Sequence, residues 1–336
     1  MAGNPQKGVG AGFGRIGRTA GALLAALILF PACSSDGPNA PAERTVPHET
    51  AWGIYALDPA SGDIDLVYAS DSEISGLRLN EAGDRFVFDK KIGGTGDDAR
   101  EICTVAVDGT DFRRVTENAY WDTYPCWSPD GETIAFLSWR DATLDIYTIG
   151  ANGAGESMLY GSGFHDADID WRGEKIAFTR ESLIWVMNED GTGAHPVTDN
   201  PDAGTPSDAN LPFGDYDPRI SPDLSHILFE RLDDDQSPHG NYNIYKVAMD
   251  GSGETRLTET GYSQGFATWS PVGERVAFLV AAIGEVGQYD LYMMNADGSG
   301  ARNVTPDYVP DDFLCHAPVF STGGGALYFV GQWWEG

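Results

Sequence analysis

The chain has 336 residues, with 51 Asp and Glu against 21 Lys and Arg, a formal charge of -30, 41% hydrophobic residues, 42 glycines and 19 prolines. That charge excludes a basic nucleic-acid binder, and the apolar content excludes a collagen-like or low-complexity polymer. Length alone permits one large domain or two ordinary ones, and glycine with 11% aromatics points to many short strands joined by turns.

Residues 1–19 carry Lys7, Arg15 and Arg18 and no acid, and an unbroken small and apolar run from Ala20 to Phe30 leads into Pro31-Ala32-Cys33. This is the order of a secretory signal, and the run is too short for a membrane-spanning helix of about 20 residues. Cys33 after a small residue resembles the bacterial lipoprotein signal, although Phe30 and Pro31 depart from its usual pattern. The resemblance implies lipidation of Cys33 as first mature residue, with Ser34 favouring the outer membrane on its periplasmic side; the alternative is ordinary signal cleavage. Residues 1–32 hold three basic and no acidic residues, so the mature charge becomes -33. Gly12-Phe-Gly-Arg-Ile-Gly17 fits a dinucleotide fingerprint by pattern, but no strand precedes it and a signal core follows.

Beyond a tether over 33–50 the sequence repeats six times. One phrase reads Trp127-Ser-Pro-Asp-Gly-Glu-Thr-Ile-Ala-Phe136, and its copies start at Leu79, Trp171, Ile220, Trp269 and Phe320. A second reads Ile146-Tyr-Thr-Ile-Gly-Ala-Asn-Gly153, with copies from Ile54, Ile102, Ile184, Ile244 and Leu291. Asp-Gly or Asn-Gly closes a hairpin in five of these, so each unit is four short strands A, B, C and D. Such units predict an all-β six-bladed β-propeller of four-stranded antiparallel blades over 51–336. Strands C and D of the last blade come from about 52–69 and A and B from about 316–332, so the ring closes by pairing N-terminal with C-terminal strands. Trp127, Trp171, Trp269, Tyr147, Trp185, Tyr245 and Tyr292 are expected to pack between blades, and Cys103 takes the slot of such a tyrosine.

The phrase Trp127 to Phe136 with Asp145-Ile-Tyr147, and Asp290 to Gly298 with Val304-Thr305, resembles the WD40-like PD40 repeat of the TolB propeller family. TolB itself carries an α/β domain before its propeller, whereas only residues 34–51 lie between Cys33 and the first strand expected here. Members serve as periplasmic docking platforms or as propellers attached to serine peptidases. The resemblance names no partner.

Strand A lines the central channel of such a ring, so the D-to-A and B-to-C loops share one mouth. These loops are long and acidic, with Asp97, Asp98, Asp202, Asp208, Asp233, Asp234, Asp235, Asp307, Asp311 and Asp312. Just before the A strands stand Asp122, His165, Asp166, Asp168, Asp215, Asp217, Gln264 and His316, expected to ring the mouth. Carboxylates there suit a basic partner or Ca²⁺ or another divalent cation, and a solvated acidic face is the plain alternative. The reading chosen is a non-catalytic, monomeric docking protein of the cell envelope, lipid-anchored, binding a protein or polymer and no nucleic acid. Two alternatives stand beside it. One is a structural spacer; the other is a metal-dependent, lyase-like enzyme on a carbohydrate polymer, implied by propeller lyases whose metal is held by histidines and a glutamine, with His165, His316 and Gln264 near those positions. Gly261-Tyr-Ser-Gln-Gly265 fits a nucleophile elbow by pattern but leads into a strand where that elbow needs a helix.

Overall fold

Runs of about seven residues rich in isoleucine, valine and phenylalanine form the strands, continuous and buried in strand B as in Ile134-Ala-Phe-Leu137, and the tight turns between them return each run onto its neighbour. The computed structural model describes residues 44–93, 100–140, 142–209, 211–234, 240–282 and 289–334; Cys33, Asp97, Asp98, Asp235 and the side chains of Asp233 and Asp234 lie outside the description. Among the described residues there is no helix, and the strands form six antiparallel four-stranded sheets.

Blades 1 to 5 run in chain order, their innermost A strands being Ile74–Leu79, Trp121–Trp127, Asp166–Arg172, Gly214–Ile220 and Tyr262–Trp269. Blade 6 takes strand A from Phe313–Phe320, B from Leu327–Trp333, C from Trp52–Leu57 and D from Ile64–Ser70. The seam is an unbroken ladder from Trp52 opposite Gln332 to Leu57 opposite Leu327. The expected closure by N- and C-terminal strands is therefore present.

The core has one cluster per blade interface and a smaller one of Tyr216, Leu232 and Tyr242 within blade 4. Val87, Ile102 and Val115 of blade 1, for example, meet Trp127, Ile134, Phe136 and Tyr147 of blade 2. The phenylalanine ending each B phrase, at 88, 136, 178, 229, 278 and 329, is at most 2% exposed. It pairs with the C-strand slot, held by Cys103, Tyr147, Trp185, Tyr245, Tyr292 and Tyr55 in turn. Two smaller features recur. A threonine two residues beyond strand D accepts a C-strand amide, as Thr198 does from Ile184 at 3.0 Å and Thr258 from Ile244 at 2.9 Å. The glycine of the C-to-D turn has positive φ and lies on the preceding blade's D strand, so that a Cβ on Gly109 would stand 1.9 Å from the Val67 carbonyl oxygen.

Candidate binding site at the channel mouth

Every A strand carries the same irregularity three residues before the B phrase. The pairing register slips there, and the residue at that point is left-handed: Gly76, Tyr124, Asp168, Asp217, Phe266 and Ala317, with φ between 45° and 64°. Such a bulge turns the residues before it to the other face of the sheet. In blade 4, Asp215 shares a face with Arg231, whereas Arg219 stands opposite Leu228.

That reversal places the expected mouth residues in two groups. Asp122, Asp166 and Asp215, fully buried, turn into their own blades. Asp166 accepts from Arg180 Nε at 2.7 Å and Asp215 from Arg231 Nε at 2.6 Å. Asp122 accepts from Asn118 at 2.7 Å and from Ser138, with Arg140 at 3.8 Å. Each arginine in turn covers a C-strand ring, with Arg140 4.0 Å from the centre of Tyr147, Arg180 4.6 Å from Trp185 and Arg231 4.7 Å from Tyr245. Burial raises the carboxyl pKa of Asp122, and raises that of Asp166 to about 6. Gln264 is buried and donates back to Thr260 and Tyr262 of its own loop.

Asp168 and Asp217, at the bulge, belong to the channel. Asp168 Oδ2 accepts the Asp217 amide at 3.4 Å, and Asp217 Oδ1 pairs with Arg219 Nη2 at 2.6 Å. Glu230 on strand B accepts the amide of Phe266 in blade 5, as Asp89 accepts that of Tyr124 in blade 2 at 3.3 Å. Arg78 of blade 1 lies within electrostatic reach of Arg219, Asp217 and Asp170, which come from the far side of the ring. Burial and then Arg219 lower the Arg78 pKa to about 10; burial and then Asp217 raise that of Asp168 to about 6 and that of Glu230 well above the carboxylate range.

Four residues outward from each bulge stands a ring that the sequence reading passed over: Tyr120, Phe164, Phe213, Tyr262 and Phe313, with Ser72 in blade 1. Tyr120, Phe164 and Tyr262 are 43%, 51% and 51% exposed. Exposed Asp202 and Asp208 lie on the D-to-A loop that leads to Phe213, and exposed Asp307, Asp311 and Asp312 on the one that leads to Phe313.

No family model matches this sequence. An uncharacterized protein of Agrobacterium fabrum is 28% identical over 181 residues, 50% of this chain and 57% of that protein. The Tol-Pal system protein TolB of Desulfosudis oleivorans is 35% identical over 63 residues, 18% of this chain and 14% of that protein. The chain thus spans less than two thirds of either relative's length. Among solved structures, putative TolB from Agrobacterium tumefaciens aligns with a TM-score of 0.64 at 15% identity, covering 85% of this chain and 99% of that one. TolB from Acinetobacter baumannii aligns with a TM-score of 0.53 at 18% identity, covering 78% and 65%. The chain is a TolB-like six-bladed propeller.

A TolB-like ring is a scaffold that unrelated chemistries share: oligogalacturonate lyase from Vibrio parahaemolyticus has the same fold at a TM-score of 0.51 and 10% identity, over 84% of each chain. The residues weighed for a metal enzyme are not gathered in this propeller. His165 of blade 3 is exposed beside Trp139, its Nδ1 accepting the Leu144 amide at 3.2 Å. His316 of blade 6, on the opposite side of the ring, lies between Trp52 and Tyr289, and burial lowers its pKa to about 4. Two histidines and a glutamine would hold a metal only with help from Asp166 or Asp215, and both of these are held by arginines. Among the described residues no three His, Cys, Asp or Glu side chains are grouped to hold a metal ion.

Proposed function

We propose that this TolB-like propeller is an exported, monomeric docking protein of the bacterial envelope, held to the membrane by a lipid on Cys33, and that a protein partner settles on its D-to-A loop face. One observation carries the reading: Tyr120, Phe164 and Tyr262 stand exposed at the entries to the channel strands of blades 2, 3 and 5. Tyrosine and its aromatic relatives dominate binding hot spots because they give large contact areas at little conformational cost. Among the described residues the opposite face offers one exposed large apolar ring, Phe112. Carboxylates around the aromatics favour a basic partner surface and speed its approach.

A photo-crosslinking residue placed at Tyr120, Phe164 or Tyr262 in cells should trap one defined envelope protein, and the same residue at Leu224 or Val272 on the other face should not. Adducts from both faces alike, or from neither, refute docking through this face. Cys33→Ser should release the protein from membranes; its retention there refutes the anchor.

A further inference from the structure

The residues just before the first strand tie the chain to one end of blade 6. Val46 is 5% exposed and belongs to the apolar cluster that holds Phe313 and against which Trp333 packs. The Tyr55 hydroxyl donates to the Pro47 carbonyl at 3.1 Å and accepts from Trp333 Nε1 at 3.2 Å. His48 stacks on the Trp333 indole with ring centres 4.2 Å apart. Thr50 Oγ1 accepts the Ser70 amide at 3.1 Å, and the Ala51 carbonyl accepts the Trp333 amide at 2.8 Å. A segment tied at Val46, Pro47, His48, Thr50 and Ala51 is part of the scaffold and not a loose end.

Those contacts fix the end at which the chain joins the propeller. Phe313 opens strand A of blade 6, Trp333 closes strand B, Trp52 opens C and Ser70 closes D. All four strand ends lie at the D-to-A and B-to-C loops, the face on which Tyr120, Phe164 and Tyr262 stand exposed. Val46 is therefore held on the loop face. The opposite face, made of the A-to-B and C-to-D turns, is a blade length away, about 24 Å for strands of seven residues.

Twelve residues, 34–45, separate Val46 from Cys33. Fully extended, that stretch spans no more than about 45 Å. A lipid on Cys33 thus keeps the loop face within that distance of the bilayer surface. To present the turn face instead, the same stretch would first have to run the length of a blade, which leaves about 20 Å to clear the turns and confines it to its extended conformations. More compact conformations are far more numerous and leave the loop face as the nearer one, so chain entropy favours that orientation.

What meets the loop face must then fit between propeller and bilayer. The space is close to the width of a single 100-residue domain, whose radius of gyration is about 13 Å. Anionic headgroups repel loops that carry Asp202, Asp208, Asp307, Asp311 and Asp312. A basic segment of a protein seated in the bilayer is matched both in charge and in place.

We propose that the protein is held with its D-to-A loop face toward the membrane, and that the partner docking there is a membrane-seated protein that presents a short basic segment at the bilayer surface. The orientation rests on the lipid at Cys33, and the partner class on docking through this face. The test uses the lipidated full chain in vesicles of phosphatidylethanolamine and phosphatidylglycerol that carry an energy-acceptor lipid. A donor dye is placed at Tyr262→Cys, which opens the A strand of blade 5, or at Val272→Cys, in the turn just beyond that strand. The native Cys103, Cys126 and Cys315 are buried and stay unlabelled. Transfer is expected to be several-fold greater from Tyr262→Cys, and equal transfer, or more from Val272→Cys, overturns the orientation. Cys33→Ser should abolish both signals. If it leaves them unchanged, the anchor falls and the orientation with it; if it abolishes two signals that were equal, the orientation alone falls. About twenty glycine and serine residues inserted after Pro41 should bring the two signals together. A difference that survives the insertion means that the face grips lipid itself and overturns the protein partner. In cells, the protein trapped at Tyr262 should, when made alone, partition into the detergent phase of a cloud-point extraction. A water-soluble partner overturns the partner class and leaves the orientation standing, and no adduct at all removes docking.

Discussion

At the scale of single residues the channel is governed by carboxyl groups kept from water. The Asp168 carboxyl has its pKa raised by burial and by Asp217, with Arg219 and the Asp217 amide opposing them and Thr179, Tyr124 and Glu230 also nearby. The folded chain therefore holds this proton more tightly than the unfolded one, whose aspartates titrate near 3.9. Stability from the protonated form is complete below about pH 4 and is lost as pH rises through about 6. Asp168→Asn keeps an oxygen to accept the Asp217 amide and removes the charge. It should raise the melting temperature at pH 8 and leave it nearly unchanged at pH 4, which thermal unfolding at the two pH values checks. A rise of equal size at both would assign the effect to packing.

At the scale of strands, the sequence exposed what repeats by residue type and hid what repeats by geometry. Strands B and C were readable because Phe136 and Tyr147 have counterparts of similar kind at matching places in their phrases in nearly every unit. The bulge was not, because Gly76, Tyr124, Asp168, Asp217, Phe266 and Ala317 share a backbone conformation and no chemistry. Missing it led to a specific error of placement. Asp122, Asp166, Asp215 and Gln264 sit two residues before the bulge residue, where simple alternation would turn them to the channel with Asp168 and Asp217, and the register slip turns them into the blade instead. The aromatic ring had a findable signal: an aromatic residue stands seven positions before the B phrase in five of six units. The threonine beyond strand D gives the test at this scale. Thr258→Val keeps the shape but leaves the buried Ile244 amide without its acceptor, at a cost of about 1–3 kcal/mol. Hydrogen exchange should quicken at Ile244 while the matching Ile184, held by Thr198, stays protected.

At the scale of the whole molecule, six interfaces of similar make-up share the apolar load, so each blade depends on the two beside it. Breaking the ring at one place should loosen all of it. A chain cut after Ser321 loses Leu327–Trp333, and Trp52–Leu57 then has no inner partner. Such a chain should elute as a larger particle than the full chain and bind a hydrophobic dye that the closed ring excludes; a compact, dye-free product would mean that five blades suffice.

The seam also sets a clock. Trp52 and Gln332 are partners across almost the whole described chain, so the last ladder can form only after the final strand has emerged, whether from the ribosome or from an export channel. Until then the apolar flanks of the first and last complete blades are both open to other unfolded chains, with Ile74 and Phe88 waiting on one side and Leu279 and Leu291 on the other. The arrival of the last strand is therefore the moment at which the nascent chain can cover both flanks and close its ring of A strands.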